Sequence, residues 1–139
     1  MQGKLVIVDN ASVRLLWDEG LKCVQIGWDG SYVSGPEYRA TLLELLDLLA
    51  MRRGCRMLFD MRNLPVVSPE DQAWIQEEWM PRSLKVGLRY SAVVMPKSAL
   101  SRLTLRHIAK DASGIERQRA YFETLEEARA WLKSMPGTT

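Results

Sequence analysis

The sequence predicts one α/β domain over residues 1–139, a mixed sheet with an antiparallel N-terminal hairpin followed by βα units. About four helices are expected to flank it. Three observations carry this. β-Rich runs at 4–8, 13–17 and 21–28 follow one another with only turn chemistry between them. From residue 34 onward, short apolar runs alternate with helical periodicity. Three of the helical stretches open on serine or threonine with an acidic residue two or three positions later, as helix N-caps prefer.

The elements follow in order. Residues 4–8 read as a strand, and Asp9 and 10–12 as a turn. Val13, Leu15 and Trp17 alternate onto one face. "DEG" at 18–20 turns the chain into a strand over 21–28, completing the hairpin. After a turn at 29–31, Ser34 and Glu37 have capping-box spacing. The helix they start runs to Arg53, with Gly54 expected at the left-handed C′ position. Tyr38, Leu42, Leu45 and Leu49 form its stripe, widened by Leu43, Leu46 and Ala50. So broad a face suggests a partner as well as the chain's own sheet.

Residues 55–60 form a short apolar strand. The helix over 68–80 has Ser68 as its cap and Pro69 at N1, where the missing N–H costs nothing. Pro81 is expected to kink or break it. A buried strand at 90–95, a helix at 98–110 and an arginine-rich edge strand at 115–122 follow. The last helix is capped at Thr124 and carries Leu125, Ala128, Trp131 and Leu132 on one face. In such sheets ligands favour the carboxyl ends of the strands. That edge holds residues 60–67 and 96–98.

Composition narrows the function classes. Apolar residues are 47%, charged residues 26% and net charge +2, an ordinary balance for a globular protein and too weak a charge for nucleic-acid binding. Cys23 and Cys55 make no disulfide framework and suit a reducing compartment. The N-terminal residues lack a signal-peptide core, and no apolar run approaches the ~20 residues that span a bilayer. A cytoplasmic protein is expected.

Several segments then carry a resemblance: "LLWDEGLKCVQIGWDG", "FDMRNLPVVSPEDQAWIQEEWMPR", "GLRYSAVVMP" and "YFETLEEARAWL". Together they resemble the SpoIIAA-like proteins, small bacterial domains related to the STAS fold and also called STAS/SEC14-like. The resemblance covers nearly the whole chain and implies a small mixed sheet flanked by helices. It implies a non-enzymatic regulatory domain that binds a protein, as STAS anti-sigma-factor antagonists do. The alternative it implies is a carrier that holds an apolar, lipid-like ligand, as SEC14-like domains do. The antagonists' phosphoswitch has a serine pair and a glycine at the helix start. Here that place reads Val67-Ser68-Pro69-Glu70-Asp71, with one serine and no glycine. This argues against phosphorylation at Ser68.

The candidate ligand- or partner-binding residues are Asp60, Arg62, Ser68, Trp74 and Trp79. Asp60 and Arg62 end a strand, where they form an ion pair or meet an anion through the arginine's donor fork. Ser68 reads first as a helix cap. Trp79 lies one turn beyond Ile75 and faces the sheet, while Trp74 flanks the core or walls a ligand. Glu77 and Glu78 point about 100° apart, so they share no space for acid–base work. His107 is the single histidine, sharing a helical face with Leu100 and Leu103. No metal-ligand spacing, phosphate loop or nucleophile elbow occurs. No catalytic residue, metal or cofactor is therefore assigned. A protein partner is expected, with homodimerisation through the broad face of the 36–53 helix, as is a small apolar molecule in the alternative reading.

Overall fold

Sequence order is also spatial order. In the computed structural model, β1 (Lys4–Asp9), β2 (Val13–Asp18), β3 (Cys23–Trp28), β4 (Arg56–Asp60), β5 (Tyr90–Val94) and β6 (Gln118–Phe122) lie side by side as one six-stranded sheet. β1–β2 and β2–β3 are antiparallel, and every later pair is parallel. The structure describes residues 4–9, 13–29, 35–64, 67–110 and 118–136. The expected cap Ser34, the turns at 10–12 and 30–31, the strand start at 115–117 and the side chain of His107 lie outside the described residues.

The helices are α1 (Gly35–Arg52), α2 (Pro69–Trp74), α3 (Met80–Lys85), α4 (Ala99–Lys110) and α5 (Leu125–Ser134). A π-helical turn, Ile75–Trp79, joins α2 to α3. Because β3 to β6 advance one place at a time, the three crossovers put α1, α2–α3 and α4 on one sheet face. There Val13, Leu15, Trp17, Val24, Ile26 and Trp28 meet Leu42, Ile75, Trp79 and Leu105. On the opposite face α5 packs Ala128 and Leu132 against Cys23, Leu58, Ala92 and Val94.

Several expectations are corrected. The left-handed residue closing α1 is Arg53, at φ 52°, not Gly54. Arg53 N–H donates to the Ala50 carbonyl and Gly54 N–H to the Leu49 carbonyl, the paired closure of a Schellman turn. Gly54 is glycine for another reason: a Cβ there would lie 3.1 Å from the Trp17 ring and 3.2 Å from Leu49. Pro81 does not break its helix, which runs on to Lys85. Proline withholds an N–H and crowds the carbonyl four residues back. The π turn just before it widens the helix, closing Met80 N–H onto the Ile75 carbonyl. Leu21 belongs to the β2–β3 turn, where its N–H donates to Asp18.

The stripe of α1 is buried in the chain's own core, with Tyr38, Leu42, Leu45, Leu46, Leu48 and Leu49 inside, while of the residues expected to widen it Leu43 is half-buried and Ala50 exposed. Homodimerisation through that face is thus left little apolar surface, with Met51 the large apolar side chain of α1 that is exposed. Among the described side chains of α4, Ser101 and Leu105 are buried, whereas Leu100 and Leu103 point outward, 59% and 62% exposed.

Candidate functional site

Asp60 ends β4, and the chain turns at once so that Arg62 folds back over it. Arg62 Nε donates to Asp60 Oδ1 at 2.8 Å and Nη2 to Oδ2 at 2.7 Å. The Arg62 backbone N–H adds a third bond at 3.3 Å. Burial by itself would raise the Asp60 carboxyl, but these bonds outweigh it and hold the group below the ordinary carboxylate range. The Asp60 bonds raise Arg62 in turn. The pair is the self-contained ion pair that strand-end charges often form.

The pair rims a crevice of about 460 Å³ at the carboxyl ends of β3 and β4, on the face that α5 covers only in part. That volume lies within the roughly 300–1,000 Å³ typical of small-molecule pockets. Arg14, Gln25, Gly27 and Asp29 line it beside the pair, and Leu16 and Leu125 form apolar walls.

A second hollow lies on the opposite face, among α1, the π turn and α4. It is a narrow apolar slot of about 70 Å³, bounded by Tyr38, Phe59, Ile75, Trp79, Val93 and Leu105. Trp28 lines one end, beyond the carboxyl end of the β3–β4 register. Ser91 lines the other, near the start of β5 and paired in register with Arg119. Both residues are more than nine-tenths buried, yet Trp28 Nε1 and Ser91 Oγ have no hydrogen-bond partner among the described residues. Such a group costs about 1–3 kcal/mol when left unmade. Tyr38 packs on Trp28 with ring centroids 6.1 Å apart. Burial pushes its phenol up, with the nearby Asp71 charge adding to the shift.

The five expected site residues divide among different tasks. Asp60 and Arg62 stand at the crevice. Trp79 is buried in the other layer, donates Nε1 to the Leu42 carbonyl at 2.8 Å and meets Phe59 edge-on. Trp74 is half-buried, with the Arg39 guanidinium 5.5 Å above its ring. Ser68 is the N-cap, its Oγ accepting Asp71 N–H at 3.2 Å.

Sequence reasoning missed one polar residue in the lining of each hollow. Ser91 and Gln25 are polar residues inside otherwise apolar strands, "YSAVV" and "CVQIGW". That mismatch was the available signal, since burial of a polar side chain asks for a partner. Asp71, buried at the start of α2, accepts the Gly35 N–H at 3.0 Å and Arg39 Nε at 2.9 Å. Nothing in the local sequence sets it apart from its neighbour Glu70. Among the described residues no group of histidine, cysteine and carboxylate side chains is placed to hold a metal. No described helix is long and apolar enough to cross a membrane. No family model, curated protein or solved structure matches the chain.

Proposed function

We propose that this chain is a non-enzymatic binding domain that receives the apolar part of a small molecule in the slot beneath α4. One observation carries the reading: an apolar slot lined by Trp28 and Ser91, whose deeply buried Nε1 and Oγ have no hydrogen-bond partner among the described residues. An indole N–H only donates. The ligand is therefore an apolar molecule bearing a hydrogen-bond acceptor such as a carbonyl. The π turn supplies Ile75 and Trp79 to the lining, and such turns recur at functional sites. At about 70 Å³ the slot is roughly half the ~150 Å³ cavity that admits benzene. It takes a short apolar group, and a longer chain requires α4 to shift.

The test is the intact mass of freshly isolated protein, under native and then denaturing conditions. An apolar small molecule released on denaturation is the expected result. A bare chain whose Trp28 indole resonance also fails to respond to a short-chain ketone such as 2-butanone would remove the reading.

A second reading is a regulatory, protein-binding domain of the bacterial cytoplasm, akin to the SpoIIAA-like and STAS domains. The outward Leu100 and Leu103 side chains on α4 favour it, because neighbouring exposed leucines mark contact surfaces. Its test is partner capture by wild type against a Leu100→Glu, Leu103→Glu double variant. Equal capture by both would exclude α4 as the contact. Phosphorylation at Ser68 is not part of either reading, since its oxygen already caps α2 beside Glu70 and Asp71.

A further inference from the structure

We propose that the slot beneath α4 binds a short apolar carboxylic acid as its anion, with the carboxylate received by Arg119. The inference rests on the slot reading and names the charged end of its ligand.

Strand register puts Arg119 in place. Arg119 and Tyr121 are alternate residues of β6, so they share a sheet face, and both line the slot. They pair in register with Ser91 and Val93 of β5, which line it too. The same alternation sends Ala92, Val94 and Phe122 to the α5 face. Arg119 therefore stands at the Ser91 end of the slot.

That end is the wet one. β6 is the outer strand of the sheet, Arg119 is half-buried and Tyr121 is 44% exposed. Toward the other end the lining closes into buried Trp28, Tyr38, Leu42 and Trp79. A molecule with an apolar stem and a charged head enters such a slot stem first, because burying an unpaired charge is costly.

The sign of the head follows from the lining. Among the described residues that line the slot, Arg119 carries the sole charge. A guanidinium stays charged and presents five N–H donors in a fork that matches a carboxylate. A carboxylate held side-on takes two of the five, so another partner of Arg119 does not use up the fork. An ammonium head would meet only repulsion there. The anion does not lie the other way round either, since the Asp71 charge already acts on Tyr38, which packs on Trp28 at the far end.

The experiment is an NMR titration of the nitrogen-15-labelled protein with sodium butyrate, using 2-butanone and n-butylammonium chloride as comparisons. Expected are saturable shifts of the Ser91 and Arg119 amides, with butyrate binding at least about tenfold more tightly than either comparison. Arg119→Gln should weaken butyrate by about tenfold, to the level of the ketone, and Arg119→Lys should keep part of the preference. Should neither variant fold, the ligand comparison on the wild-type chain still decides the sign of the charge. Saturable but equal binding of butyrate and 2-butanone would overturn this inference and leave the slot reading in place. A preference for butylammonium, or a butyrate preference that survives Arg119→Gln, would overturn it as well. No response of the Trp28 indole or the Ser91 amide to any of the three would remove both.

Discussion

Asp71 and Arg39 are 2.9 Å apart, a carboxylate and a guanidinium that fasten the first turn of α2 to the second turn of α1. The Asp71 side chain is 2% exposed and the Arg39 side chain 36%. Asp71 also accepts the Gly35 N–H, so one buried carboxylate serves both helix starts. Burial would raise its carboxyl, but the bonds from Gly35, Arg39 and Ser68 together hold it lowered. Asp71→Asn is expected to cost about 2 kcal/mol, since hydrogen bonds to charged groups each count for more than neutral ones. The pH dependence has a definite sign. The folded carboxyl titrates below its unfolded value of about 3.9. Its stabilisation is complete above that value and is lost as pH falls through the folded one. Urea midpoints between pH 7 and 2 should therefore converge for wild type and variant at the acid end. A constant gap would show that the charge is not what matters.

Two substitutions at the end of α1 should reverse the usual glycine rule. Gly54→Ala pushes a methyl against Trp17 and Leu49 and should cost about 1–3 kcal/mol. Arg53→Gly relieves a positive φ and should gain up to about 1 kcal/mol. Thermal midpoints of the two variants decide this, and a harmless Gly54→Ala would mean that the indole moves aside.

A residue that serves a ligand rather than the fold should be dispensable to the fold. Ser91→Ala removes a buried hydroxyl that has no partner among the described residues, and the empty protein should gain about 1 kcal/mol. The same change should weaken uptake of the slot ligand. A loss of stability would instead show that Ser91 is structurally satisfied.

Arg129 of α5 donates to the buried carboxylate of Asp18 at 2.9 Å, reaching from the last helix to the β2–β3 turn. Arg129→Met should cost about 3 kcal/mol, because it strands a charge that is 3% exposed. Hydrogen exchange should show the loss first in α5 and the β2–β3 turn. Uniform loss across the sheet would mean that α5 does not open by itself.

Ser68 offers a sharper test of cap against switch. Ser68→Ala should cost about 1 kcal/mol, whereas Ser68→Asp, which retains a capping oxygen, should remain within about 0.5 kcal/mol of wild type. Partner or ligand binding that changed with Ser68→Asp alone would restore a regulatory role for this position.

The architecture was largely legible because period and punctuation are local. Alternation in 13–17 placed Val13, Leu15 and Trp17 on the buried face, and the caps at Ser68 and Thr124 sit where their spacing put them. What failed were features set by distant chain. Gly54 looks like a helix stop, but its reason is the Trp17 ring from β2. Pro81 looks like a break, but a π turn absorbs it. The hollows were still less legible. Asp60 and Arg62 were placed at the right edge, yet Trp28 and Ser91, which give the slot its chemistry, matter through partners that no described residue supplies. An absent bond between residues far apart leaves no trace in a linear pattern.

The side-by-side strand order has a consequence for biosynthesis. Each strand from β2 onward docks beside the one made just before it, so none must wait for a later strand to be threaded between its neighbours. As the chain leaves the ribosome, the sheet can widen one strand at a time and close its first layer with α1, α2–α3 and α4 as they emerge. The other face has no such early cover. Leu58, Ala92 and Val94 stay bare until α5 arrives. The newborn chain is therefore most prone to clump in the interval before α5 is made, and a chaperone that shields it has its natural target in that uncovered surface.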